Sequence, residues 1–296
     1  MFERCLICTD FTDGLHRLVH FIPSLAVGGF QQIVFMHAVP LWEEGGIPRV
    51  DTEKIEQARA RLSAGLQSLP PGIEVKVEVR SGKVLENILE VAKSYQTQLI
   101  ILGMASQSLV TETLFGSTTM ALAQRTPVPL LIFRPQLISA YTGEELDLRC
   151  RHLCRYLLIP YNGSQTSQLL LKRIKDYIRD RPDKSVEKCL LCWAIEEVGH
   201  RDLPKDYYRQ QVQQATDSLT TIKTELERLN LSVEIQVRQG NRMTEIVDAA
   251  LMSDISAIAI ASEQMGNIFQ FPSFTSFTAD LMRRSWHPVL FLPLAK

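Results

Sequence analysis

The stretch VRSGKVLENILEVA, residues 79–92, has a gap-free counterpart in VRQGNRMTEIVDAA, residues 237–250, which lies 158 residues further along the chain. Two further pairs of segments match at nearly the same spacing: PLLIFRP from 129 with PVLFLP from 288, and LICTDFTDG from 6 with LIPYNGSQT from 158. Repeats in one order, with offsets of 158, 159 and 152 residues that differ only by short insertions, predict a tandem duplication. The 296 residues are therefore expected to form two domains of the same fold.

Each half alternates short apolar runs with amphipathic stretches, as strands and helices do along a mostly parallel sheet. Runs such as QLIILG at 98–103 are apolar throughout, which indicates strands covered by helices on both faces. The predicted fold class is α/β, with two tandem doubly wound, five-stranded, mostly parallel sheets. The first half has predicted strands at 4–9, 32–38, 74–80, 98–103 and 129–134, and helices at 12–26, 50–68, 83–94 and 116–125. The second half has predicted strands at 154–160, 188–195, 231–238, 256–261 and 288–293, and a long helix at 205–229.

The stretch QLISAYTGEELDLRC, residues 136–150, has no clean helical or strand period. Such a stretch between two repeats is expected to connect them. The predicted domains are residues 1–137 and residues 151–296, joined by a linker at 138–150.

Composition excludes several classes of function. The formal net charge is -1 and the basic residues are scattered, so the chain shows no charge footprint for nucleic acid or an anionic membrane. No apolar run is long enough to span a bilayer. Glu3 and Asp10 interrupt the start, where a signal peptide would be continuously apolar, so the cytoplasm is the expected location.

Two of the three cysteine pairs have C-x-x-C spacing, which can indicate a metal or redox site. Cys5 and Cys8, and likewise Cys189 and Cys192, lie in predicted strands, where residues three apart point to opposite faces about 10 Å from each other. The pattern therefore favours buried, reduced thiols.

Ligands of open parallel sheets collect beyond the carboxyl ends of the strands, where the strand order reverses. Asp10, Ala38 and Gly103 stand at or near the ends of three predicted strands of the first half. The loop that follows Gly103 leads to Gly116-Ser117-Thr118, which opens a helix whose free N–H groups can bind an anion. This arrangement predicts a nucleotide site, with Asp10 accepting hydrogen bonds from the ribose or base.

The combination of CTDFT at the first strand, His37-Ala38-Val39 at the second, Gly82 before a helix and Gly103-x-x-Ser-x9-Gly116-Ser117 resembles the universal stress protein family. The resemblance covers both halves, as in a tandem member. It implies a Rossmann-like sheet similar to that of adenine nucleotide alpha hydrolases. It also implies that ATP or AMP binds, with magnesium accompanying ATP, because the pattern G-x-x-G-x9-G-[S/T] marks the nucleotide-binding members.

Carried over by position, the resemblance places Asp10 at the ribose and adenine and the backbone of Ala38 at the adenine. It assigns the phosphates to Gly103 and to Gly116, Ser117 and Thr118. The full set of predicted nucleotide-binding residues is Thr9, Asp10, Phe11, Ala38, Leu102, Gly103, Ser106, Gly116, Ser117 and Thr118.

The first half departs from the family pattern at Ser106, which stands where the second glycine is expected. If that position requires φ > 0, serine costs about 1 kcal/mol. The loop also has no Lys or Arg, and Glu112 adds a negative charge, so backbone dipoles or a metal would have to neutralise a triphosphate.

The second half has lost the same positions. Asn162 stands at the position of Asp10, Ala261 or Ser262 replaces Gly103, and Thr275-Ser276 replaces Gly116-Ser117. The residues 269–277 are rich in phenylalanine, which favours pocket filling or core packing over a partner-binding patch. We expect this half to bind no nucleotide.

These features favour a non-catalytic protein, with slow ATP hydrolysis at most, in which nucleotide occupancy of the first domain alters contacts with a protein partner. The alternative is a nucleotide-independent scaffold in which both sites are degenerate. An adenylating enzyme is disfavoured because no catalytic base or lysine stands out. The absence of G-x-x-x-x-G-K-[ST] excludes a P-loop ATPase, and the absence of G-x-S-x-G argues against a serine hydrolase. The family's dimer pairs last strands, which implies that 129–134 pairs with 288–293 inside one chain, and that a homodimer of tandem chains is open as well.

Overall fold

The computed structural model of the chain describes residues 1–44, 47–67, 69–103, 117–179, 185–196, 205–262 and 277–294. They form two compact units, the first from Phe2 to Arg151 and the second from His152 to Lys296 together with Met1.

The first unit contains seven strands and six α-helices within the described residues. The strands are β1 (Arg4–Cys8), β2 (Gln32–Val39), β3 (Trp42–Glu44), β4 (Ile47–Arg49), β5 (Glu74–Ser81), β6 (Leu99–Gly103) and β7 (Leu130–Phe133). The helices are α1 (Ile22–Val27), α2 (Thr52–Ser63), α3 (Val84–Ser94), α4 (Ser117–Arg125), α5 (Pro135–Ala140) and α6 (Gly143–Arg151). Short 3-10 helices occupy Leu15–Phe21 and Ala64–Gln67.

Five of these strands form a parallel sheet in the order β7-β6-β1-β2-β5. The order reverses between β1 and β6, so this unit is doubly wound as predicted. The central strands are apolar at every position except their ends, and residues such as Leu6 and Ile100 are fully buried. Strands β3 and β4 form a separate antiparallel hairpin that the sequence analysis did not predict.

The prediction of one helix over 12–26 is wrong in its first part. Backbone N–H groups of this segment donate to the side chains of Asp10 and Asp13, which competes with helix formation. Gly14 then takes the left-handed conformation at φ 77°, and only from Leu15 does the chain wind, first as a 3-10 helix and then as α1.

The stretch 138–150 is predicted to be a linker because its sequence lacks periodicity. In the structure it is largely helical and packs on the rest of the first unit. The Arg17 guanidinium donates to the carbonyl oxygens of Ile138, at 2.6 Å, and of Tyr141, at 2.9 Å. Gly28 lies so close to α6 that a Cβ there would come within 2.7 Å of the Cys150 carbonyl oxygen. In this structure the first unit therefore extends to Arg151.

The second unit repeats the same topology. Its strands are β8 (Tyr156–Pro160), β9 (Lys188–Ile195), β10 (Ser232–Gln239), β11 (Ala257–Ser262) and β12 (Val289–Pro293). They form a parallel sheet in the order β10-β9-β8-β11-β12. Its described helices are α7 (Gln165–Arg179), α8 (Lys205–Glu227), α9 (Arg242–Met252) and α10 (Phe277–Arg284). Each unit thus contains a doubly wound parallel sheet, and the strand order is the same in both. This confirms the predicted fold class.

All six cysteines are buried, free thiols, and for Cys5, Cys8, Cys189 and Cys192 this burial agrees with the prediction from their place in strands. Burial raises the pKa of Cys192, for example, to about 12, so this sulfur stays protonated and packs as a small apolar group. None of the described helices has the length and apolar character that a bilayer span requires.

The two copies of the repeat differ in how their helices are capped, which provides a stability test. Asn241 caps α9 by accepting from the N–H groups of Met243 and Thr244, whereas Lys83 at the start of α3 makes no side-chain cap. Both residues have nearly the same extended backbone conformation. We expect Lys83→Asn to raise the free energy of unfolding by about 1 kcal/mol, measured by urea denaturation.

The matched control is Asn241→Lys, which should lower the free energy of unfolding by a similar amount. A stability unchanged in Lys83→Asn but lowered in Asn241→Lys would show that α3 gains nothing from a cap at this position.

Candidate functional site

A cavity of about 170 Å³ lies at the carboxyl ends of β1, β2 and β6 in the first unit. This is the point at which the strand order reverses, where ligands of doubly wound sheets bind. Helices α3 and α4 supply the opposite wall. The lining residues are Cys8, Thr9, Asp10, Asp13, Met36, Ala38, Val84, Ile88, Leu102, Gly103, Thr118 and Thr119.

Of the residues predicted to bind nucleotide, Thr9, Asp10, Ala38, Leu102, Gly103 and Thr118 are brought together around this cavity. Ser117 begins α4, but its side chain lies outside the described residues, as do Ser106 and Gly116 entirely. The assignment of all these residues to nucleotide contacts stays a prediction.

Asp10 organises the turn that leaves β1. Its Oδ1 atom accepts from the Thr12 N–H at 2.8 Å, from the Thr12 hydroxyl at 2.7 Å and from the Asp13 N–H at 3.1 Å. The side chain is exposed at the mouth of the cavity, and within the described part of the chain Oδ2 accepts no hydrogen bond. One carboxylate oxygen therefore holds the turn while the other is available to a ligand.

Asp13 is a buried acid of the cavity that the sequence analysis missed. Its Oδ1 atom accepts from the Thr9 hydroxyl at 2.7 Å and from the Leu15 N–H at 2.9 Å, and only 5% of the residue is exposed. Burial raises the pKa of this carboxyl above its ordinary value, although the two hydrogen bonds act in the opposite direction. The sequence feature that could have identified Asp13 is the motif TDFTD, in which it is the second aspartate and lies three residues after Asp10.

The close approach of Asp13 explains why a glycine ends β6. A Cβ built on Gly103 would lie 2.5 Å from the Cβ of Asp13 and 3.0 Å from its Oδ2 atom. Real Cβ atoms do not approach this closely. Gly103 is thus required by the packing of the buried acid, independently of any ligand.

The acid also makes the stability of the first unit depend on pH. Because its pKa is raised in the folded chain, the stabilising contribution of Asp13 is complete below its ordinary pKa of about 4 and is lost as the pH rises through the folded value. We expect Asp13→Asn to have a higher Tm than the wild type at pH 8. Asparagine can still accept both hydrogen bonds but has no charge to desolvate. The difference in Tm should shrink as the pH falls to about 4.

A series of thermal melts of the two proteins between pH 8 and pH 4 measures this effect. A difference in Tm that stays constant with pH, or a wild type that is the more stable protein at pH 8, would contradict the role given to Asp13.

Phe11, which was predicted to bind nucleotide, does not line the cavity. Its ring packs against His37, with centroids 4.4 Å apart, and the Arg61 guanidinium lies 4.5 Å from the ring centroid. The residue has φ 67°, a left-handed conformation that is strained for phenylalanine. Gly163 occupies the same turn position in the second unit at φ 75°. The ring contacts therefore offset a strain that the second unit avoids with glycine.

The inner wall of the cavity is apolar. Met36, Val84, Ile88 and Leu102 supply side chains that suit the flat face of a base, and the backbone of Ala38 runs along the same wall. The end of β2 is tied to the exit of β1, because His37 Nδ1 lies 2.9 Å from the Thr9 carbonyl oxygen. This contact fixes the position of the apolar wall relative to the turn that Asp10 organises.

The outer end of the cavity is formed by Thr118 and Thr119 in the first turn of α4. The amino end of a helix carries a partial positive charge and unbonded N–H groups, which favour an anion. The described lining contains the two carboxylates Asp10 and Asp13 and no Lys or Arg. Among the described residues, no three His, Cys, Asp or Glu side chains converge as a metal site.

The cavity at the corresponding position of the second unit is smaller than that of the first unit. The strand registers pair Gly103 with Phe133 in the first unit and Ala261 with Leu292 in the second, so Ala261 takes the position of Gly103. Asn162 repeats the turn of Asp10 by accepting from the Ser164 N–H at 3.2 Å. The cavity here has a volume of about 50 Å³. The replacement Thr275-Ser276 and most of the Phe-rich stretch 269–277 lie outside the described residues.

Fold and cavity together define the class: tandem doubly wound α/β domains with a pocket at the switch point of a parallel sheet. The sequence model of the universal stress protein family matches residues 1–134 and again residues 155–293. The chain therefore belongs to the universal stress protein family and has two family domains in tandem.

Individual relatives match along most of the chain. A curated universal stress protein of Mycobacterium tuberculosis is 24% identical over 267 residues, which cover 85% of this chain and 86% of the relative, and one from Mycobacterium bovis matches equally well. The crystal structure of a universal stress protein from Archaeoglobus fulgidus superimposes with a TM-score of 0.64 at 17% identity, covering 98% of each chain. That structural similarity supports the fold.

Proposed function

We propose that the first unit binds an adenine nucleotide, ATP or AMP, and that its occupancy alters the contacts of the chain with a protein partner in a cytoplasmic stress response. The observation that carries the proposal is the cavity at the switch point, which has an apolar wall, a carboxylate at its mouth and the amino end of α4 at its outer end. The three features match a base, a ribose and a phosphate respectively.

The binding is proposed to be non-catalytic. The titratable side chains that line the cavity are Cys8, Asp10 and Asp13. Burial raises the pKa of the Cys8 thiol, which keeps the sulfur protonated and poorly nucleophilic. Among the residues that the structure describes, no histidine, lysine or arginine lines the cavity to stabilise charge on a transferred phosphoryl group. Slow hydrolysis of ATP is the most that this set would support.

The two carboxylates fit a magnesium ion that arrives with ATP. Carboxylate oxygens are ligands that Mg²⁺ prefers, and the ion usually joins one or two of them to substrate phosphates. In the described residues, Asp10 and Asp13 each use Oδ1 for the turn and make no hydrogen bond with Oδ2. Magnesium would then neutralise phosphate charge that the cavity itself cannot balance.

Calorimetric titration of the nucleotide-stripped protein tests the proposal. ATP, ADP and AMP are titrated with and without magnesium, beside an Asp10→Ala variant. We expect one equivalent of nucleotide to bind the wild type, magnesium to strengthen ATP binding more than AMP binding, and the variant to lose the heat. No heat and no thermal stabilisation at millimolar nucleotide would contradict nucleotide binding.

A second candidate function is a nucleotide-independent scaffold. The acidic lining of the cavity favours it, because its described part has two carboxylates and no cationic side chain, which disfavours a polyanionic ligand. Under this alternative the protein partner is bound equally well before and after nucleotide is added. Pairing of residues 129–134 with 288–293 stays a prediction under both functions.

A further inference from the structure

The small cavity of the second unit has the opposite charge to that of the first. The repeat places Arg242 where the first unit has Val84, so a guanidinium replaces an apolar side chain in the lining. Gln165 replaces Asp13 and Asn162 replaces Asp10, so neither acid is retained. Among the described residues, the lining of the second cavity contains Arg242 and several hydroxyl groups and no carboxylate.

Arg242 is half-buried and has no ion-pair partner among the described residues. Its guanidinium lies 4.0 Å from the centroid of the Phe277 ring, which shields one face from water. Burial lowers the pKa of this group, and Glu196, which does not line the cavity, acts on it only as a weaker electrostatic neighbour. A partly desolvated guanidinium without a bonded anion is costly to the fold, and a bound anion would offset that cost.

The backbone holds Arg242 at the cavity. It is the first residue of α9, and Asn241 fixes the start of that helix by accepting from the N–H groups of Met243 and Thr244. The residue is therefore positioned by a formed cap, unlike Val84, which follows the uncapped Lys83.

Hydroxyl groups complete the polar side of the cavity. The Ser164 Oγ atom accepts from the Ser167 N–H at 3.2 Å, which leaves its own proton free to donate to a ligand. The hydroxyl of Thr278 donates to the Ala261 carbonyl oxygen at 3.1 Å and is fixed in the wall by that bond. Helix α7 begins beside Ser164, so its positive end adds to the field of the guanidinium.

We propose that this cavity binds a small tetrahedral oxyanion: phosphate, either free or as the phosphoryl group of a small phosphomonoester. The volume of about 50 Å³ holds only a few water-sized groups, which accommodates a phosphoryl group and excludes a nucleotide base. The guanidinium provides two parallel N–H donors of the geometry that phosphate oxygens accept, and Ser164 provides a third donor. The site does not depend on nucleotide binding in the first unit.

The test is a titration of the full chain with inorganic phosphate and, separately, with glycerol phosphate. Two-dimensional NMR spectra of the backbone amides are recorded at each step of the titration. We expect saturable shifts at residues 164–167 and at Arg242. Arg242→Gln should weaken binding at least tenfold, and Arg242→Lys should recover part of it because the charge is kept and the fork is lost. Arg228→Gln, at an exposed arginine of the same unit, is the control for net charge and should bind as the wild type does.

Each outcome separates this site from the first unit. Saturation by inorganic phosphate alone identifies a free ion, and saturation by both probes identifies a phosphoryl group. Equal affinity of the wild type and a folded Arg242→Gln variant would overturn the proposal. Shifts confined to the first unit would overturn it too, because the anion would then belong to the nucleotide cavity. Thermal melts establish whether each variant is folded.

Discussion

Gly103→Ala is expected to lower the free energy of unfolding by about 2–3 kcal/mol and to remove nucleotide binding. The new Cβ would lie 2.5 Å from the Cβ of Asp13, and neither atom can rotate away, because each is fixed to its own backbone. Either β6 or the turn that carries Asp10 and Asp13 must therefore shift. Both form the cavity, so the same displacement disrupts its mouth. Urea denaturation and calorimetric titration with AMP and magnesium–ATP measure the two effects.

Two controls make the cause of this effect identifiable. Ala261→Gly, at the same register position of the second unit, should change stability by 1 kcal/mol or less and leave nucleotide binding intact, since about that much is expected for Ala to Gly alone. Combining Gly103→Ala with Asp13→Gly removes the opposing Cβ and should restore much of the lost stability. If the double variant is as unstable as the sum of the two single changes, contact with Asp13 is not the reason for the glycine.

The fold was predictable because two sequence features, the internal repeat and the apolar runs, both indicate strands of a parallel sheet that is covered by helices on both faces. A parallel strand covered on both faces must be apolar at nearly every position, and QLIILG at 98–103 satisfies this over most of β6. The repeat also predicts that the two units have the same strand order, because the same elements occur in the same sequence in each. The structure shows this shared order. The short hairpin β3–β4 has no such burial, as the exposed Ile47 shows, so its sequence carried only the weak signal of two glycines between polar and apolar residues.

The residues of the cavity were predictable where they stand at strand ends or where the resemblance supplied their positions. Asp10 and Gly103 satisfied both criteria, but the reason for the glycine was not predictable, because the contact with Asp13 joins residues 90 positions apart. Phe11 was placed in the site by its motif. In the structure its ring is directed to His37 and Arg61 and its backbone is left-handed, while its contact with a nucleotide stays a prediction. Such directions depend on φ, which a sequence pattern does not determine.

The second unit suggests a variant that separates the observed role of Asp10 in the turn from its proposed role in ligand binding. Asn162 makes the same turn with its amide oxygen, so asparagine at position 10 should keep the exit of β1 folded. Its other group is an amide NH2, a donor in place of the carboxylate oxygen that is available to a ribose or base. Asp10→Asn therefore changes the ligand side of the residue and leaves the turn, whereas Asp10→Ala removes both.

We expect Asp10→Asn to keep the Tm of the wild type within about 2 °C and to weaken AMP binding about 10- to 100-fold, as the loss of hydrogen bonds to a charged acceptor predicts. Calorimetry with AMP and with magnesium–ATP measures the affinities, and thermal melts measure the turn. Asn162→Asp is the matched change in the second unit and should leave AMP affinity unaltered. Wild-type affinity in a folded Asp10→Asn variant would mean that the carboxylate serves only the turn. A large fall in Tm would mean that the turn of the first unit, with Phe11 strained at φ 67°, needs the full charge that its counterpart with Gly163 does not.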